Sequence, residues 1–120
     1  MRDFRILLIS TFACLLAGGA PAAQPAGEGA APHRSPLLQL ARELGRAAGN
    51  AEFCAYDEDV VEDFIARALA RLAKETKDQA LLAGGRIEFN SHAAHGRASG
   101  PDEGCEAFSL TFAAMKRQLN

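Results

Sequence analysis

Glu88, His92 and His95 are separated by four and then three residues, a spacing that puts all three on one side of a helix if the helix is continuous there. A carboxylate and two imidazoles are a ligand set for zinc, copper or nickel. A closed zinc site takes four ligands, however, and the sequence offers no second cluster of His or Cys. The three residues are therefore carried as candidate ligands. The expectation is a polar boundary between a buried stripe and solvent, with no metal and no cofactor.

Two further groupings invite a chemical reading and lack a necessary part. Tyr56 to Asp63 contains five carboxylates, but without the alternating oxygen ligands, central glycine and closing glutamate of a calcium loop. Their position suits the first turn of a helix, where negative charge meets the positive end of the dipole. Ser91 and His92 are adjacent, and neighbouring helix residues point in different directions. A triad also needs an orienting acid and an oxyanion hole. No nucleophile elbow, metalloprotease helix or phosphate-binding glycine loop is present. No catalytic residue is assigned, and the expectation is a protein that is not an enzyme.

The N-terminus carries the strongest functional signal. Arg2 and Arg5 outweigh Asp3, Ile6 to Leu16 is almost wholly apolar, and Ala20-Pro21-Ala22 supplies small residues. This is the profile of a signal peptide, with 1–22 removed by cleavage after Ala22. The apolar run falls short of the roughly 20 residues needed to span a bilayer, which weighs against an uncleaved anchor. Cys14 follows a small residue, as a lipidation site would require, but Thr11 stands where a leucine-like residue is expected and the apolar run continues beyond the cysteine. Residues 23–34 are rich in Ala, Gly and Pro and read as a flexible leader. The expected location is periplasmic or secreted, for a bacterial-type exported protein.

Cleavage removes Cys14 and leaves Cys54 and Cys105, an even number in an oxidising compartment. The expectation is a structural disulfide. The rivals, a redox-active pair or a metal site, lack a C-x-x-C spacing that would lower a thiol pKa. Closing a loop of this length stabilises a fold by about 4 kcal/mol in the chain-entropy treatment.

The elements that must position these residues are helical. Ser35-Pro36 opens a first helix with Leu37, Leu40, Ala41, Leu44 and Ala48 on its buried face, Arg42 and Arg46 facing away, and an end at Gly49-Asn50. A second helix starts at Asp57 and buries Val61, Phe64, Ile65, Ala68, Leu69 and Leu72. It ends either in a turn across Glu75 to Gln79 or later, at Gly84-Gly85. In the first case a third helix starts near Asp78 and runs through the glycines, aligning Leu82, Gly85, Phe89, Ala93 and Gly96 on a stripe that allows close helix approach. Ser99-Gly100-Pro101 is the last loop. Asp102 and Glu103 then open a fourth helix, in which Cys105, Phe108, Phe112, Met115 and Leu119 repeat at alternating three and four.

The expected fold class is all-α: a small four-helix up-down bundle over 35–120 with one disulfide. In that topology the second and fourth helices are parallel, so the staple should join their starts. A net charge of -2 excludes the basic footprint that nucleic-acid binding requires. The functional expectation is a small exported non-enzymatic interaction module, an inhibitor, immunity-type, chaperone-like or accessory protein with a partner in the cell envelope. Its contact surface would be exposed apolar residues of the first or fourth helix, and no stable membrane insertion is expected after cleavage. The alternative is a periplasmic metal or small-ligand carrier using Glu88, His92 and His95.

Overall fold

The computed structural model describes residues 35–120, so the signal-peptide and leader readings, and Cys14, lie outside the described residues. Four helices follow in chain order: α1 (Pro36–Phe53), α2 (Glu58–Glu75), α3 (Gln79–Ser99) and α4 (Cys105–Gln118). Among the described residues there is no strand. No described helix is long and apolar enough to cross a membrane.

The helices alternate in direction. Gly45 meets Phe89 and Gly49 meets Ala93 and Arg97, so α1 and α3 run parallel. Phe64 meets Phe112, and further along Arg67 donates to the Asn120 side chain just beyond α4, so α2 and α4 do too. This is the expected up-down order. The closest pair is α1 and α3, helices that alternate in sequence. A Cβ at Gly45 would lie 2.2 Å from the Phe89 carbonyl oxygen, and one at Gly49 would lie 2.0 Å from that of Ala93. Backbone touches backbone at both points, which only the absence of a side chain allows. The α3 residues buried are the expected stripe, Leu82, Gly85, Phe89, Ala93 and Gly96.

That packing explains why α1 outruns its expected end. Gly49 and Asn50 do not stop the helix, because they are buried at its seam with α3. The helix continues to Phe53 and ends through a residue without glycine's freedom: Ala55 has φ 57. The Ala55 N–H donates to the Glu52 carbonyl and the Tyr56 N–H to the Ala51 carbonyl, satisfying two terminal acceptors. With Ala51, Leu37, Leu44 and Ala48 all buried, α1 is the helix around which the other three pack.

α2 starts after Asp57 as expected and buries Val61, Phe64, Ala68 and Leu72, with Ile65 and Leu69 packed partly against the core. The Asp57 side chain makes no capping bond. It is Asp78 that caps, accepting from the N–H groups of Ala80 and Leu81 at 2.9 and 3.1 Å. A true stop and start therefore separate α2 from α3, and the later end at Gly84-Gly85 does not occur. Asp102 and Glu103 do not open the fourth helix. They form a turn, and α4 begins at Cys105 after Gly104, whose φ is 86.

Cys54 and Cys105 form the expected disulfide, with their Cα atoms 5.6 Å apart. Because α1 is longer than expected, Cys54 caps its end, and the bond joins that end to the first residue of α4. Beneath it Tyr56, Phe64, Phe108 and Phe112 form an aromatic cluster, with Phe112 at 4.9 Å from Tyr56 and 4.8 Å from Phe64 between ring centroids. Phe108 and Phe112 are the two fully buried side chains of α4. Covalent bond and cluster together anchor a helix that otherwise touches the rest lightly.

Candidate functional site

One turn of α1 separates Arg42 from Arg46, and another separates Arg46 from Asn50, so the three share a face. Sequence spacing alone assigned the two arginines to the outward side. In the fold they are half-buried, because α3 and α4 cover that side. They form one wall of an open groove of about 390 Å³. Across it stand His92 of α3 and the Asp102 and Glu103 turn, while Ala47, Phe108 and Met115 give it an apolar floor.

Arg42 clamps Glu88 across the α1–α3 seam: its Nε donates to Oε2 at 2.8 Å and its Nη2 to Oε1 at 3.1 Å. The fork geometry fits a carboxylate and holds the arginine more firmly protonated than usual, chiefly through these hydrogen bonds. His92 Nε2 is 3.7 Å from Glu88 Oε2, beyond hydrogen-bond length. Of the candidate ligands, Glu88 and His92 are thus brought together on a carboxylate already engaged by Arg42. His95 is exposed. Among the described residues no group of three His, Cys, Asp or Glu is arranged to hold a metal ion.

Arg46 differs from Arg42. Its Nε is buried without a hydrogen-bond partner, and its Nη2 is 3.7 Å from Asp102 Oδ1, whose side chain is 96% exposed. Asn50 is 6% exposed, and its Oδ1 is likewise buried without a partner. A buried polar group left unsatisfied costs about 1–3 kcal/mol, so two of them one turn apart mark this as the most polar-strained place among the described residues. Gly96 of α3 lies close against this point: a Cβ there would lie 3.0 Å from Asn50 Oδ1.

The remaining candidates are surface features. Asp57, Glu58 and Asp59 are exposed at the α2 start, and Asp63 receives two hydrogen bonds from Arg67 one turn on. At the far end of the α1–α3 seam Arg97 donates to both carboxylate oxygens of Glu52. These bonds hold the Glu52 carboxyl below its usual pKa, against a smaller opposing effect of burial. Leu110 of α4 and Ile87 of α3 are large apolar side chains left mostly in solvent, and Phe53 at the end of α1 is half-exposed over Gly100.

Sequence reasoning missed Arg46 and Asn50. The available signal was an arginine and an asparagine at i, i+4 with only Ala47, Ala48 and Gly49 between them; the helix-stop reading of Gly49-Asn50 concealed it. No protein-family model matches the chain, and no curated protein or solved structure matches it either.

Proposed function

We propose that the chain is a small exported, non-enzymatic interaction protein of the cell envelope, in which the four helices are a scaffold for presenting a binding surface. The observation that carries this reading is the Cys54–Cys105 bond. A disulfide that closes the end of a helical domain belongs to an oxidising compartment, and the N-terminal sequence has the charge, apolar run and small residues of an export signal. The geometry favours this reading over a metal carrier: the carboxylate 3.7 Å from His92, that of Glu88, is occupied by Arg42, and among the described residues no three candidate ligands converge.

The test is fractionation followed by cross-linking in the expressing cell. The reading expects the protein in the periplasmic or secreted fraction, starting at Ala23, and cross-linked through a photoreactive residue at Leu110 or Thr111 to one reproducible envelope protein. Recovery in the cytoplasm with an intact Met1, or turnover of a substrate that survives repurification, would reject it.

A further inference from the structure

We propose that the groove between α1, α3 and α4 binds a single carboxylate carried on an apolar stem, an inference that rests on the interaction reading above and gives its ligand a chemistry. Arg46 supplies the charge. Arg42 is committed to Glu88 at 2.8 and 3.1 Å, whereas Arg46 faces only Asp102 at 3.7 Å, too far for a hydrogen bond. Its Nε is closed off, so the edge offered to a closer acceptor is the one formed by the two terminal nitrogens, which matches a carboxylate in two parallel bonds.

Asn50 supplies a second polar contact. It lines the same groove, is more than nine-tenths buried, and has an amide oxygen without a partner. Because that oxygen is closed to solvent, the contact requires the Asn50 amide to turn towards the groove, where an amide N–H next to the ligand's carboxylate satisfies it. Phe108 and Met115 set the rest of the ligand, since they give the groove an apolar floor beside the charged wall. The volume, about 390 Å³, lies within the range of small-ligand clefts.

The rim selects against more highly charged anions. Glu43, Asp102 and Glu103 all line the groove, so a dianionic phosphate would meet three carboxylates for one available arginine. A monoanion with an apolar body avoids most of that repulsion. Two sources carry this chemistry: the C-terminus of a partner protein ending in an apolar residue, and a free short-chain carboxylic acid.

The experiment is titration of the purified protein, followed by calorimetry and by amide chemical shifts of Ala47, Asn50 and Phe108. Three probes are used: an N-acetylated tripeptide ending in leucine with a free carboxylate, the same peptide as its C-terminal amide, and isocaproate. The free-acid peptide should bind and the amide should bind about tenfold more weakly or worse, since the charge-assisted bonds are lost. Tighter binding of the peptide than of isocaproate assigns the source to a partner's C-terminus, and equal binding assigns it to a free acid.

Arg46→Gln should weaken the acid about tenfold and the amide by much less, so that the preference for the acid over the amide collapses. Because that variant disturbs a half-buried side chain, Asp102→Asn is the second. It alters a fully solvated group and should tighten the acid roughly two- to fivefold by removing the competing carboxylate. Equal affinity for acid and amide, no shift with any probe, or an Asp102→Asn variant that binds the acid more weakly would overturn the proposal. Failure here leaves the cross-linking test of an envelope partner untouched.

Discussion

Gly49→Ala adds one methyl group at the tightest point of the fold. Its Cβ would lie 2.0 Å from the Ala93 carbonyl oxygen and 2.7 Å from the Arg97 nitrogen, both backbone atoms with no rotamer to change. To reach a tolerable contact α3 must retreat by about 1 Å, and a gap of that size forfeits roughly a quarter to a half of each dispersion contact it opens. The seam it opens includes Ala41, Leu44, Ala48, Phe89 and Ala93, all buried. Overpacking of this kind costs about 3 kcal/mol at the upper end of the usual range. The gain in helix propensity offsets about 1 kcal/mol. A net loss of about 2 kcal/mol should lower Tm by roughly 10 °C in a domain of this size.

Gly84→Ala is the internal control. It lies on the same helix pair, but its Cβ would meet only the Leu38 side chain at 3.6 Å, an ordinary contact. The propensity gain then stands alone, and Tm should rise by about 5 °C. Thermal and urea unfolding followed by helical circular dichroism, with the disulfide intact, reads both variants. If Gly49→Ala proved as stable as the parent, or both substitutions moved stability in the same direction, the backbone contact between α1 and α3 would be wrong.

Three other perturbations bear on separate parts of the fold. Cys105→Ser should remove about 4 kcal/mol, the worth of closing the loop from Cys54, and a reductant should lower the parent's Tm towards that of the variant. Ala55→Gly relieves the left-handed backbone at the α1 terminus and should raise stability by up to about 1 kcal/mol, measured by urea unfolding. Glu52 has a folded pKa below its unfolded one, so its contribution is present above the ordinary carboxylate pKa and is lost as pH falls through the lowered folded value. Glu52→Gln should therefore destabilise at neutral pH, by no more than about 1 kcal/mol for so exposed a pair, and match the parent in acid.

Periodicity reads well where one helix face is buried and the other is wet. α2 and the α3 stripe follow their apolar spacing for that reason, and with Cys14 set aside in the expected signal peptide, Cys54 and Cys105 leave a single pairing. The failures share a cause. Gly49-Asn50 has the composition of a helix stop, but a glycine at a close approach between helices looks the same in one dimension as a glycine beyond a C-terminus. The actual stop, Ala55, has no composition signal, since its left-handed φ is held by the Glu52 and Ala51 carbonyls.

Misplacing that end hid the groove as well. Arg42 and Arg46 are polar in sequence and were assigned to solvent. Only the approach of α3 and α4 encloses them. The charged pattern of Glu88, His92 and His95 was legible, but its use was not, because the partner of Glu88 lies 46 residues away. Spacing within one helix shows which residues share a face and is silent on what faces them.

Export into an oxidising compartment, with the helical scaffold closed by its disulfide, is the claim on which the functional reading depends. The intact mass of the protein recovered from the envelope fraction of expressing cells tests it in a single measurement. The account predicts a chain that starts at Ala23 and is lighter by two hydrogens than the fully reduced form. A chain that keeps Met1, stays in the cytoplasm and carries Cys54 and Cys105 as free thiols would contradict it.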